Sequence, residues 1–260
     1  MDKFISRSMK TPISVKETAY NADQAALDFP PGAEDGYWYL ARNKHLYSQL
    51  KKYCSDGSPM LEVGCGSGIV VEFLRKQGLD CQGCDLSDQA AEKKSYLFHA
   101  TDANDLEEGY RKKVKTLLIL DVIEHIEEPV PFLKKLQISF PNLEYLVIAV
   151  PARKELWSNY DVFFGHFRRY TMEMLRQEMT EIGGRVLTMH YFFKLLYLPG
   201  WLTVKLLGKR NLQVGAPQSS LSRALNRIPA AMIRFSDWIL PRQWWGSSLL
   251  TIVKIDRTKE

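Results

Sequence analysis

The sequence predicts an α/β fold, a Rossmann-like doubly wound sheet of seven strands, mostly parallel with one antiparallel strand. Three observations carry that prediction. Strand-like and helix-like apolar runs alternate along most of the chain, the pattern of a parallel sheet with helices on both faces. A glycine-rich turn, Leu61-Glu-Val-Gly-Cys-Gly-Ser-Gly68, joins a strand-like run to a helix-like one. Seven strand-like runs are present, the last after a long delay.

The elements follow in order. Residues 1–34 are polar and carry Pro30-Pro31-Gly32, so they read as a loose arm and linker, ordered over a bound cofactor. Residues 35–260 form the main domain. Its expected helices are Tyr37–Tyr53, Ile69–Lys76, Asp88–Lys94, Val130–Phe140 and Met172–Glu181. Thr171 suits the N-cap of the last, with Glu173 in its first turn and Gly183-Gly184 beyond its end. Its expected strands are Met60–Val63, Asp80–Cys84, Tyr96–His99, Thr116–Asp121, Tyr145–Val150, Leu187–Phe193 and Leu249–Ile255.

Between the last two strands lies an insertion, about residues 194–247. It holds eight Lys and Arg against the single acid Asp237, a net charge of +7 in a chain whose total is +5. Four of the six tryptophans are here: Trp201, Trp238, Trp244 and Trp245. Leu221, Leu225, Ile228, Met232, Phe235 and Ile239 step by three or four, and Arg223, Arg227 and Arg234 fall off that stripe. This is an amphipathic basic helix, or two joined at Pro229. Three readings are open: a helical cap with solvated arginines, a membrane-surface segment, or a nucleic-acid contact. The last is unlike the rest because no RNA-binding motif accompanies the charge. Phe192–Leu207 is too short and too interrupted to span a bilayer, which takes about 20 apolar residues.

Composition bounds the rest. The chain has 260 residues, 45% apolar and 25% charged, suited to one elaborated domain. Its N-terminal residues show no apolar run of a secretory signal. Cys54, Cys65, Cys81 and Cys84 make no disulfide framework, which points to a reducing, cytoplasmic setting. Cys81 and Cys84 form a C-x-x-C without a second pair, so no metal ligand set is expected.

The glycine turn points to a nucleotide-type cofactor. Glycine allows positive φ and close backbone approach, and the following helix N-terminus offers free N–H groups. The dinucleotide fingerprint needs a small residue at its sixth position. Counted from Gly64 that position is Ile69, and the third glycine comes one residue early, at Gly68.

This E-x-G-x-G-x-G run, from Glu62 to Gly68, resembles motif I of the class I S-adenosylmethionine (SAM) methyltransferases, of the type 11/12-like subgroup. Further matches follow in the family's order. Asp85, with Leu86, ends the second strand where the family places an acid on the cofactor ribose. Asp102, with Ala103, stands where the adenine-binding acid falls. Leu117-Leu-Ile-Leu-Asp-Val-Ile-Glu-His125 resembles the fourth-strand motif beside the methionine part, which brings in Asp121. Tyr37-Trp38, with Arg42, resembles the aromatic-plus-Arg N-terminal helix of many members. The resemblance covers about residues 35 to 190. It implies SAM as cofactor and S-adenosylhomocysteine as product, held by Glu62, Gly64, Cys65, Gly66, Gly68, Asp85, Leu86, Asp102, Ala103 and Asp121. Asp85 and Asp102 also read as turn residues.

The segment Trp157 to Thr171 follows strand five at the sheet's carboxyl edge, where open α/β sheets bind ligands. Its Gly165-His-Phe-Arg168 stretch resembles a subgroup acting on small molecules, glycans or lipids. His166 is the expected general base, with His125 lining the methyl-transfer site, and Trp38, Tyr160 and Arg168 the expected acceptor contacts. The alternative is that His166 and Arg168 only fasten the loop. The whole reads as a methyltransferase acting on oxygen of a small molecule, lipid or lipid-linked sugar, cytoplasmic or peripheral at the inner membrane face. An anionic membrane surface is an expected partner, and nucleic acid is not. The alternative from another class is a non-catalytic SAM-binding or scaffold protein.

Overall fold

The computed structural model describes residues 21–54, 57–88, 94–213 and 215–256. The chain enters through α1 (Ala22–Asp28), where Asn21 and Gln24 exchange the hydrogen bonds of a capping box. A short 3-10 turn at Ala33–Asp35 leads into α2 (Tyr37–Tyr53). β1 (Met60–Val63) is buried throughout, and the glycine turn delivers the chain into α3 (Ile69–Lys76). β2 (Cys81–Cys84), the two-residue β3 (Leu97–Phe98) and the one-turn α4 (Glu108–Arg111) follow. β4 (Thr116–Leu120) is wholly buried, as a strand covered on both faces requires. Pro129 opens α5 (Pro129–Ser139), where its missing N–H leaves no helical bond unmade. Then come β5 (Tyr145–Pro151), α6 (Asn159–Phe163), α7 (Met172–Glu181) and β6 (Gly184–Phe192). Thr171 accepts from Met174 N and caps α7, as its position suggested. The insertion forms α8 (Lys194–Leu207) and α9 (Ser220–Ile239), and β7 (Ser248–Ile255) closes the sheet.

The sheet order is β3-β2-β1-β4-β5-β7-β6. Strands β1 to β5 pair in parallel, and β7 runs antiparallel to both β5 and β6. The pleat of β4 divides its side chains between two cores. Leu117 and Ile119 join Leu133 and Leu136 of α5 and Leu175 and Met179 of α7. Leu118 and Leu120 join Leu46 and Leu50 of α2, Leu74 of α3, and Ala230 and Ile233 of α9. All four cysteines are free and buried, so the C-x-x-C is core packing.

The structure adds to the sequence expectation at the N-terminal segment and in the insertion. Residues 21–34, expected as arm and linker, form α1 and enter a 3-10 turn, and Gln24 Nε2 donates to Phe163 O at 2.6 Å and ties this segment to the domain. The expected helix at Asp88–Lys94 lies largely outside the described residues. Of the two forms open for the basic segment, the structure shows the single helix, with Pro229 inside α9. Lys194, one of the eight cations in the insertion's charge count, is 2% exposed. Its Nζ donates to Asp237 O at 2.9 Å and Leu240 O at 2.7 Å. Asp237 in turn accepts from Phe193 N and Lys194 N, both at 3.0 Å. The insertion's single acid thus caps the start of α8 and fastens α9 to the end of β6.

Candidate active site

The glycine loop sits at the carboxyl end of β1. Gly64 has φ 77° and Gly66 φ 52°, in the left-handed region that a side chain disfavours. Space forbids one too. A Cβ on Gly64 would lie 2.7 Å from Val122 Cγ2, and one on Gly66 2.5 Å from the Phe29 ring. Phe29, just after α1, therefore lies over the loop. The open clefts around Tyr37, Ala216 and Asn226, and around Glu128, Met174 and Glu178, lie elsewhere on the surface.

Asp85 leaves β2 and turns back on the loop. Its Oδ2 accepts from Gly66 N at 2.8 Å, and its Oδ1 from Ser87 N at 2.8 Å and Ser87 Oγ at 2.6 Å. Leu86 beside it is half-buried, and Cys65 is buried against Gly83. Asp102 caps the 3-10 turn Ala103–Asp105, accepting from Asn104 N at 2.9 Å and Asn104 Nδ2 at 2.7 Å. Its turn reading is thus realised, and Ala103 is buried behind it.

Glu62 is 3% exposed, and burial pushes its carboxyl up to about 8, with Asp121 and Asp85 adding to the rise and Arg42 opposing it. Asp121 follows β4 with φ 54°, a conformation that aspartate tolerates. Its Oδ2 lies 2.5 Å from Arg42 Nη2 of α2. The same guanidinium stands 4.8 Å over the Trp38 ring, which packs at 5.4 Å on Phe193. Trp38 and Asp121 are therefore brought together through Arg42.

The second wall is the loop around α6. Ser158 and Asp161 form a capping box. Asp161 is fully buried and accepts from His166 Nδ1 at 2.9 Å, Arg169 Nε at 2.7 Å and Ser158 N at 2.9 Å. Burial raises its pKa, yet the donors from His166 and Arg169 prevail and hold it below the usual carboxylate range. His166 meets His125 edge-on, with ring centroids 4.7 Å apart. Burial, with His166 adding to it, lowers the His125 pKa to about 3, so that ring is neutral at pH 7. Tyr160 packs on Phe164 with the rings tilted by 43° and centroids 4.4 Å apart, beneath the Arg210 guanidinium at 5.3 Å.

Arg168 turns away from this cluster. Its Nη2 donates to Ile126 O at 3.1 Å and Glu127 O at 2.6 Å. Phe167 N donates to Glu124 O at 2.7 Å alongside. In this structure Arg168 fastens the loop to the segment after β4. Asp161, Arg169 and Glu124 were not among the expected site residues. The Ser158-x-x-Asp161 capping spacing was the available signal for Asp161.

The seven-stranded sheet with reversed β7, and the acid-flanked glycine loop at its carboxyl edge, define the class I methyltransferase fold. The family model described as a methyltransferase domain matches residues 37–188, more than half of the chain. The chain belongs to that methyltransferase domain family. Two ribosomal protein L11 methyltransferases are similar over short segments. The one from Campylobacter hominis is 46% identical over 43 residues, 16% of this chain and 14% of that protein. The one from Lachnospira eligens is 37% identical over 62 residues, 24% of this chain and 20% of that protein. The chain therefore matches only a small part of these relatives' length. Among solved structures, the plantazolicin methyltransferase BpumL with a triazolic desmethylPZN analog and SAH superposes with a TM-score of 0.53. It is 16% identical and covers 91% of this chain and 90% of that one, a likeness of fold.

Proposed function

We propose that this protein is a SAM-dependent methyltransferase that works at an anionic membrane surface on a hydroxyl of a lipid or lipid-linked sugar. The family supports the reaction class. The cofactor suits the residues present: Gly64 and Gly66 take positive φ where no Cβ has room, so the backbone of the loop lies bare, and Asp85 braces it. Glu62, Gly64, Cys65, Gly66, Gly68, Asp85, Leu86, Asp102, Ala103 and Asp121 would hold it. Bound SAM supplies an electrophilic methyl on a sulfonium, so the chain's own residues need only orient the acceptor, exclude water and handle one proton. Trp38 and Tyr160 flank the acceptor on this reading. His166, its Nδ1 held by Asp161, keeps Nε2 for the acceptor oxygen, and His125 lies beside it.

One observation carries the membrane part. The apolar stripe of α9 faces outward. Leu221, Leu225, Ile228, Met232, Phe235 and Ile239 are all exposed, and Trp238 is 80% exposed. The helix instead packs inward through Ala230, Ile233 and Ser236. α8 repeats the pattern with exposed Leu195, Leu198, Leu202, Leu206 and Leu207. Six cations, Lys205, Lys209, Arg223, Arg227, Arg234 and Arg242, are exposed around these stripes, although Arg223 lies 3.6 Å from Asp35. Cationic helices with an apolar outer face suit the bilayer interface. Each cation near an anionic surface contributes roughly 1 kcal/mol. No described helix is long and apolar enough to cross a membrane. The insertion also touches the acceptor loop: Arg210 N donates to Asn159 Oδ1 at 2.6 Å, and Asn159 Nδ2 to Arg210 O at 3.0 Å.

Co-sedimentation with vesicles tests this. Binding is expected to anionic vesicles, to weaken with salt, and to be lost when Arg223, Arg227 and Arg234 become Glu. With labelled SAM, the methyl label is expected in the lipid extract. A wild-type protein that ignores vesicles and runs as a dimer in solution would assign the stripes to a second copy instead.

A further inference from the structure

Glu124, His125 and His166 converge between the end of β4 and the loop after α6. Each offers one donor atom, and the three lie within 4.8 Å of one another. Glu124 is 0% exposed, and neither of its carboxylate oxygens has a hydrogen-bond partner among the described residues. A buried carboxylate without donors is costly. Its peptide is pinned by Phe167 N, so the side chain is held where it lies. The two imidazoles beside it are also oriented. His166 Nδ1 bonds Asp161, and the His125 ring packs edge-on against His166 at 4.7 Å. A carboxylate or carbonyl on the far ring nitrogen is what metal-ligating histidines carry.

We propose that Glu124, His125 and His166 bind a divalent first-row transition ion whose remaining positions are open to the acceptor oxygen. No ligand set was expected from the sequence, because Glu124 and His125 are separated from His166 by 40 residues of chain. Two imidazoles and one carboxylate favour Mn, Fe, Co or Zn over Mg or Ca, which prefer oxygen. Donor atoms about 2.0–2.2 Å from one ion stand roughly 3–3.5 Å apart, so the side chains close by a small shift from their 4.8 Å limit. With the ion bound, His166 Nε2 is a ligand and no longer the base, and the ion takes over activation of the acceptor. The acceptor hydroxyl, bound at an open position, gives up its proton to solvent more readily. That last role rests on the hydroxyl-acceptor reading above; the ion site does not.

The test uses the full chain, stripped with EDTA and titrated with MnCl2 in a calorimeter, with SAM binding measured in parallel. One saturable Mn2+ site is expected. Glu124→Gln is expected to weaken it at least tenfold. Asp161→Asn, which acts through His166, is expected to weaken it by about 10–100-fold. SAM affinity should stay near wild type in both. No saturable Mn2+ binding, or equal affinity in Glu124→Gln, overturns the site while SAM binding leaves the methyltransferase reading intact. Loss of SAM binding in the wild type would instead sink that reading. Where a variant does not fold, the wild type with Co2+ decides: visible d–d bands that shift on adding SAM or a hydroxyl acceptor support the site, and their absence overturns it.

Discussion

Replacing Asp161 by alanine measures what holds the acceptor loop in place. The carboxylate accepts from Ser158 N, His166 Nδ1 and Arg169 Nε, at 2.9, 2.9 and 2.7 Å, from a position with no exposure. Arg169, with 3% side-chain exposure, stays behind in the variant. Its remaining bond, Nη1 to Ala152 O at 3.2 Å, is to a neutral carbonyl. Removing one partner of a buried ion pair costs about 3–5 kcal/mol, because the other is left uncompensated. Total stability of a domain is about 5–15 kcal/mol, so the loss should be plain in urea unfolding followed by circular dichroism. Arg169→Met should cost about 1.5–3 kcal/mol, since Asp161 loses a charged donor but keeps those of His166 and Ser158. The double variant buries neither charge, and its cost should fall short of the sum by about 1–3 kcal/mol. A single-variant loss below about 1 kcal/mol, or strict additivity, would refute the view that this pair anchors the loop.

Three more expectations follow from the same geometry. Asp85→Ala removes the acceptor of Gly66 N and should weaken SAM binding by about 1.5–3 kcal/mol in calorimetry; an unchanged affinity would break the cofactor assignment. His45 and His190 share a 2.8 Å contact between ring nitrogens, and burial, with nearby cations adding to it, lowers their pKa values to about 4 and about 3. Their contribution is present above the unfolded value of 6.5 and is lost as pH falls towards those lower values, so the melting temperature should drop from pH 7 to pH 5, and less so in a His45→Gln/His190→Gln variant. Lys194→Met strips the donors from Asp237 O and Leu240 O and should cost about 1–3 kcal/mol, with faster limited proteolysis between residues 194 and 247; equal cleavage rates would show that the insertion is held by other contacts.

Much of the frame was readable from the residues in order. The periods of 2 and 3.6 placed α2, α3 and α7 to the residue, because apolar spacing and terminal signals such as Thr171 are local. The glycine run and the acids Glu62 and Asp85 were equally local, since strand, turn and helix are contiguous there. The turn contact of Asp102 with Asn104 was legible as well, being two residues away. Arg168 was legible as a residue that matters but not in its contacts, because it bonds the segment after β4, whose position depends on how the strands are ordered.

What only the tertiary structure decided is which side of an amphipathic element faces in, and which distant groups meet. The stripe on α9 told that its two faces differ. It did not tell which face packs: α9 lies against α2 and buries Ala230, Ile233 and Ser236, while the large apolar side chains stand in solvent. Glu124 and His166 lie on separate strand-end loops, joined only when β4 and β5 pair side by side and the loop after β5 folds back across them. A linear pattern records the spacing along one element. The meeting of buried charges from two elements is set by sheet order and by the electrostatic cost of leaving either one unpaired.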